Sequence, residues 1–362
     1  MKAKISEFFS ENSQENYLLC GGDAANILKD IPPQSVHCCI TSPPYWHQRE
    51  YSGESQLGYE SEIDLYVEHL GSIFEELKRV LKNEGSFWLN LGDTYRNKNL
   101  MGVPWRVALK LQQNGWILRN AVVWDKVKGN PCNAKDKLRN IYEYIFHFVK
   151  QERYYYDLDS IRQAPAKPTY KNGSIVTPTG VSGIKYRQQI IQNNQLSLEE
   201  KQNALAALEE SLRKVETGEI SDFRMIIRGK QRSTHSNSLI YSGRADELKK
   251  RGFCILPYHK NGAKPTDIWS IIPEDQWRKD NHCAVFPKEL CEIPIKTSCP
   301  PHGIVIDPFV GTGTSIIAAL ELNRRGIGID TSAEYLKIAH QRIDDFKQQY
   351  FSMTQLSLFQ LI

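Results

Sequence analysis

The segment from Gly303 to Asp330 constrains the fold more than any other stretch of the chain. Gly303 to Phe309 (GIVIDPF) is an apolar run of strand length, and Val310 to Ser315 (VGTGTS) is a glycine-bearing turn. IIAALELN then reads as a helix, and Gly326 to Asp330 (GIGID) as a second buried strand. Strand, glycine-rich turn, helix and strand together make the unit of open parallel sheets that bind ligands at their carboxyl edge. Gly311 and Gly313 let the backbone turn sharply and let a ligand approach with no Cβ in the way. Asp330 ends the second strand 19 residues after Gly311, where a carboxylate can accept bonds from both hydroxyls of a ribose. Position 316 is Ile, so the third glycine of a dinucleotide fingerprint is missing. Asp307 would repel a pyrophosphate but suits a ligand that carries an ammonium group.

The first third of the chain alternates in the same way. Ser35 to Thr41 (SVHCCIT) is a short strand stopped by Pro43-Pro44, and Leu65 to Leu81 has apolar residues at helical spacing. GSFWLNLGD is a strand, PWRVALKLQQNG a helix with Pro104 in its first turn, and ILRNAVVWDK and IYEYIFHFVK are aromatic-rich strands. This alternation predicts an α/β domain with a largely parallel sheet and helices on both faces.

From about Asp157 to Pro265 the pattern changes to polar, Pro/Gly-bearing stretches around one clear helix. That helix opens with a capping box, Ser197 to Glu200, and carries Leu205, Leu208, Leu212 and Val215 on one stripe. Residues 221–264 hold ten Lys and Arg against three acids, a local charge of +7 in a chain whose net charge is +4. A basic patch on a near-neutral body fits a polyanion held at one face. No apolar run approaches the roughly 18 residues of a membrane helix. The eight cysteines form no CxxC pair, so no metal site is expected, and Cys38-Cys39 read as small buried side chains in a reduced, cytoplasmic protein.

Ser42-Pro43-Pro44-Tyr45 sits at the carboxyl end of its strand, where such sheets place their chemistry. The Ser42 hydroxyl and the Pro43 carbonyl are hydrogen-bond acceptors on a loop that two prolines stiffen before any ligand arrives. Acceptors of this kind can bind the N–H groups of an aromatic amine and localise a lone pair otherwise delocalised into the ring. Tyr45 offers a ring on which a base extruded from a duplex can stack.

Taken together, TSPPYW, DPFVGTGT and GIGID resemble the amino-methyltransferase family of DNA methylases. The order, SPPY before DPFxGxGT, is similar to that of its circularly permuted β group. Supporting matches are GGDAANIL, LGYE, WLNLGDTY, VVWDK, NIYEYIFHFVK and NHCAVFPKELCEIPI. The resemblance implies a Rossmann-like methyltransferase sheet and S-adenosyl-L-methionine as methyl donor. It implies cofactor contacts from Asp307, Pro308, Phe309, Gly311, Thr312, Gly313, Thr314 and Asp330. It also places Asp23 near the cofactor adenine, with His282, Phe286 and Pro287 walling the pocket. Thr312 to Ser315 (TGTS) departs from the more usual SGTT but keeps small and hydroxyl-bearing side chains.

Four regions are expected: 1–157 as the catalytic half, 158–264 as an inserted target recognition domain, 265–346 as the cofactor half, and 347–362 as a tail. The insert would grip double-stranded DNA through Arg228, Lys230, Arg232, Arg244, Lys249, Lys250 and Arg251, mostly at phosphates. Within the resembled family, Ser before the two prolines is associated with cytosine N4 and Asp with adenine N6, so cytosine is favoured and adenine stays open. Pro131-Cys132 is similar to the nucleophile of cytosine-C5 enzymes, but the motif order is reversed and the acid that should follow is missing. A restriction-modification role with a cognate endonuclease is implied, and a DNA-binding protein that keeps a cofactor pocket without turnover is the alternative of another class. Gln355 to Phe359 (QLSLF) resembles the peptide by which bacterial proteins dock on the replicative sliding clamp; the same apolar residues could instead pack on their own domain.

Overall fold

The computed structural model describes residues 1–48, 57–129, 133–165, 167–171, 174–177, 183–229, 243–273 and 287–359. They fall into two compact units, Met1–Ser160 with Thr266–Ile362, and Ile161–Pro265. The chain opens with α1 (Lys2–Phe8), β1 (Tyr17–Gly21), α2 (Ala24–Asp30), β2 (Val36–Thr41), α3 (Ile63–Val80) and β3 (Leu81–Leu91). A short hairpin of β4 (Tyr95–Arg96) and β5 (Asn99–Leu100), α4 (Val103–Gln113), β6 (Ile117–Asp125) and β7 (Tyr142–Val149) follow. The second unit holds β8 (Thr169–Lys171), β9 (Ser174–Val176), α5 (Gly183–Ile191), α6 (Leu198–Glu216), β10 (Asp222–Ile227), α7 (Gly243–Arg251) and β11 (Phe253–Tyr258). The first unit resumes with β12 (Ile268–Ser270), α8 (Lys288–Ser298), β13 (Ile304–Asp307), α9 (Thr314–Glu321), β14 (Arg325–Asp330) and α10 (Ala333–Phe359). Residues 347–359, expected as a tail, are the last turns of α10.

The first unit is built on an eight-stranded sheet in the order β1-β14-β13-β2-β3-β7-β6-β12. Every neighbouring pair is parallel except those made by β7, which runs antiparallel to both β3 and β6. The last two strands of the chain therefore sit between the first two, so motifs far apart in sequence share one edge in space. Adjacent residues of β2 face opposite layers, as the pleat requires. Cys39 packs with Tyr66, Phe74 and Leu77 of α3, whereas Cys38 and Ile40 pack with Leu290 and Ile295 of α8 and Ala318 of α9. Both cysteines are fully buried, as small apolar side chains would be.

The helices form for visible reasons. In α3 the buried residues Tyr66, Leu70, Ile73, Phe74 and Leu77 recur at three- and four-residue steps, which puts them on the face that meets the sheet. Pro104 stands in the first turn of α4, where its missing N–H costs nothing. Asp23 caps α2 by accepting the Asn26 N–H at 3.0 Å. No helix of the described residues is long and apolar enough to cross a membrane.

The second unit has its own core. Tyr186 and Ile190 of α5, Leu208, Leu212 and Val215 of α6, and Phe223, Met225 and Phe253 of the antiparallel pair β10–β11 pack together. The capping box of α6 is made from both sides: Ser197 Oγ accepts from Glu200 N at 3.1 Å, and Glu200 Oε2 accepts from Ser197 N at 2.8 Å.

Candidate active site

Four strand ends meet at the carboxyl edge of the sheet and carry most of the expected residues. Strand β2 delivers Thr41 and then Ser42-Pro43-Pro44-Tyr45, and β13 delivers Asp307. The turn after β13 carries Gly311 and Gly313, β14 ends at Asp330, and β1 leads into Asp23.

Thr41 Oγ1 donates to Asp307 Oδ1 at 2.5 Å, Ser315 Oγ donates to Asp307 Oδ2 at 2.6 Å, and the Phe309 N–H donates to Oδ1 at 3.0 Å. One buried carboxylate thus ties the SPPY strand to the glycine turn. The side chain is only 1% exposed, because its hydrogen-bond partners lie inside the protein. Burial raises the Asp307 pKa from 3.8 to about 6 against the opposing pull of its three donors. A carboxyl whose pKa is higher folded than unfolded adds stability at low pH and loses it as pH rises through both values. Relative to Asp307→Asn, the wild type should therefore lose about 2 kcal/mol of unfolding free energy between pH 4 and pH 7. Urea unfolding of both proteins across that range checks this, and a difference independent of pH would contradict it.

Asp330 is half-buried, and its carboxylate accepts from Gly311 N at 2.9 Å and Ser332 N at 2.8 Å. Burial pushes its pKa up, while these backbone donors work in the opposite direction. Gly311 and Gly313 both have positive φ, 49° and 86°, so the turn needs the glycine backbone. A Cβ built on Gly311 would meet nothing within 4 Å, so open space lies in front of the turn. The exposed Asp23 stands beside it, because Gly22 N donates to Asp330 O at 2.9 Å. Pro308, Phe309 and Thr312 belong to the same loop and Thr314 opens α9, and Arg342 of α10 donates to Thr312 O and Oγ1, both at 2.7 Å. Pro287 caps α8 and is buried; His282, Phe286 and Cys132 lie outside the described residues.

On the catalytic side, Tyr66 donates its hydroxyl to Pro44 O at 2.8 Å, while Pro43 O takes no hydrogen bond from a described group. Ser42 Oγ lies 3.0 Å from the Tyr45 hydroxyl, which lies 2.8 Å from Glu143 Oε2 on β7. Asn90 Nδ2 reaches the same Glu143 oxygen at 3.1 Å, and Lys126 Nζ reaches Oε1 at 2.5 Å. Tyr45 is half-buried, and a Cβ on Gly92 would come within 2.7 Å of its ring, so the ring rests on bare backbone. Asn90, Gly92, Lys126, Glu143, Thr41 and Ser315 were missed in sequence. The one available signal was the lone acid in the aromatic strand YEYIFHFV.

The basic patch is less uniform than its charge count. Arg228 forms an ion pair with Glu200, and its Nε is buried without a partner, so this guanidinium braces α6 instead of reaching outward. Lys250 pairs with Asp246 at 3.3 Å and Arg251 with Glu247 at 3.2 Å on α7, exposed pairs of small energetic weight. Lys249 is exposed on the same helix. Lys230, Arg232 and the side chain of Arg244 lie outside the described residues, as do the side chains of Gln355 to Phe359.

The geometry can be set beside known proteins. The chain is 32% identical over 89% of its length, and 89% of the relative's, to the type II methyltransferase M.SfiI of Streptomyces fimbriatus. Its fold is similar to the cytosine-N4-specific PvuII DNA methyltransferase, with a TM-score of 0.56 and 16% identity over 92% of each chain. A putative DNA modification methylase of Thermus thermophilus, solved with S-adenosyl-L-methionine, gives a TM-score of 0.50 and 20% identity, covering 91% of this chain and 94% of that one. The family model described as DNA methylase matches residues 36–341, and the chain accordingly belongs to the N6/N4 DNA methylase family: it is a DNA methyltransferase.

Proposed function

We propose that the chain transfers a methyl group from S-adenosyl-L-methionine to the exocyclic N4 of a cytosine flipped out of duplex DNA, at a specific site, as the modification half of a restriction-modification system. The observation that carries this reading is the Thr41–Asp307 hydrogen bond. It joins the loop suited to an aromatic amine to the loop suited to a nucleoside cofactor. The described residues fit that cofactor: space opens in front of Gly311, with the carboxylates of Asp330 and Asp23 at its rim. When bound, S-adenosyl-L-methionine supplies an electrophilic methyl group.

The chain's own residues do the rest. Asp330 accepts from ribose hydroxyls with lone pairs that Gly311 and Ser332 leave available. Ser42 Oγ and the Pro43 carbonyl accept the two amino N–H groups of the target base and draw its nitrogen toward tetrahedral geometry. Tyr45, held by its hydroxyl and by Gly92, stacks on the extruded base. Lys249, Lys250 and Arg251 on α7 hold phosphates.

Serine ahead of the two prolines supports cytosine over adenine. Digestion of DNA methylated by the purified protein, with separation of the nucleosides by mass and retention, tests this. N4-methylcytosine is expected, and N6-methyladenine would overturn the base assignment while leaving the reaction type intact.

A further inference from the structure

We infer that Glu143 is a positioning residue that sets the direction of the Ser42–Tyr45 hydrogen bond and so makes Ser42 an acceptor toward the substrate. This rests on the proposed role of Ser42 at the target amino group. A hydroxyl is both donor and acceptor, and an acceptor site for an amine needs its proton turned away. Glu143 supplies that bias. A carboxylate only accepts, so the Tyr45 proton points to Glu143 Oε2, 2.8 Å away. The Tyr45 oxygen is left to accept, and the Ser42 proton 3.0 Å away points to it. The Ser42 lone pairs then face the substrate.

The neighbours enforce the same direction. Asn90 Nδ2 donates to Glu143 Oε2 at 3.1 Å and to Tyr144 O at 3.2 Å, which turns its Oδ1 toward Tyr45 as a second acceptor at 3.2 Å. Lys126 Nζ fixes the other Glu143 oxygen at 2.5 Å. The Glu143 side chain is 12% exposed and that of Lys126 27%, so the pair is largely withdrawn from water. β7 otherwise buries aromatic and aliphatic residues and one polar side chain, His147, whose Nε2 meets Ser86 Oγ at 3.1 Å, and packing alone gives no reason for an acid there. The arrangement is indifferent to which base is methylated, because both targets present an amino group.

Glu143→Gln tests the inference. Lys126 offers only donors, so the amide oxygen turns to Lys126 and the amide N–H turns to Tyr45. Asn90, whose Nδ2 would then meet that N–H, turns its Oδ1 to it, so Tyr45 keeps no acceptor but Ser42; the Tyr45 proton points to Ser42, and the Ser42 proton into the site. Single-turnover and steady-state transfer to duplex DNA should show kcat reduced about ten- to a hundredfold, with KM for DNA and cofactor within about twofold of wild type. In a Tyr45→Phe background, which already lacks the connecting hydroxyl, Glu143→Gln should change kcat by less than about twofold. An unchanged kcat in the single variant, or an equal loss in both backgrounds, overturns the inference. Should Glu143→Gln fail to fold, Tyr45→Phe alone reads the same link: its kcat should fall with cofactor affinity retained, and an unchanged kcat defeats the idea. A wild-type protein that places no methyl on a DNA amino group defeats the proposed function instead, so the two failures are told apart.

Discussion

Ser42→Ala should fold, bind duplex DNA and cofactor as the wild type does, and methylate roughly 10²–10³-fold more slowly, the usual cost of removing one preorganised hydrogen-bonding group from a reacting centre. The structure explains why the loss falls on kcat. Among the described residues Ser42 makes one side-chain hydrogen bond, to Tyr45, and it is only half-buried, so alanine costs the fold about 1 kcal/mol or less. Pro43 and Pro44 keep the loop stiff, and Tyr66 still holds the Pro44 carbonyl. What disappears is one of two acceptors for the amino group, and the remaining Pro43 carbonyl cannot localise the nitrogen lone pair alone. Melting temperature, cofactor titration and single-turnover rates on the same preparation separate these contributions. A rate within about threefold of wild type would remove Ser42 from the chemistry.

Asp330→Ala should act on the other substrate. Cofactor affinity should drop about 10²–10⁴-fold, because the two charge-assisted hydrogen bonds proposed to ribose hydroxyls are lost at roughly 1.5–3 kcal/mol each. The fold should also weaken by about 1–3 kcal/mol, since the Gly311 and Ser332 N–H groups lose their acceptor. Asp330→Asn separates the two roles. Its amide oxygen can keep one backbone donor, which recovers part of the stability, but it lacks the charge, so affinity stays low. Calorimetric titration of S-adenosyl-L-methionine reads this directly, and equal affinity in all three proteins would show that Asp330 holds the turn and nothing else.

Both loops were legible in the sequence as strand-end turns because their residue types constrain the backbone. Prolines after Thr41 and glycines after Asp307 mark strand ends wherever they occur. The direction of β7 was not legible, since the period of a strand is the same read either way. Nor was the Glu143 contact: residues 45 and 143 meet only because β7 runs back beside β3. Charge counting placed Arg228 among the DNA-binding residues, but Glu200 of the capping box takes up its charge, and no count along the chain reveals such a pairing. The inward bonds of Asp307 were not legible either. The Thr41 and Ser315 hydroxyls that hold it come from the end of β2 and the first turn of α9. Types of residue carried the reaction class, and three-dimensional pairing carried the polarity of the groups.

Transfer of label from tritiated S-adenosyl-L-methionine is the most direct test of the central claim, with duplex DNA, single-stranded DNA and RNA offered side by side to wild type and Ser42→Ala. Label should enter duplex DNA, be recovered on an exocyclic amino nitrogen, and fall roughly 10²–10³-fold in the variant. Label absent from DNA, or entering it equally with Ser42→Ala, would contradict the assignment of Ser42-Pro43-Pro44-Tyr45 as the catalytic loop.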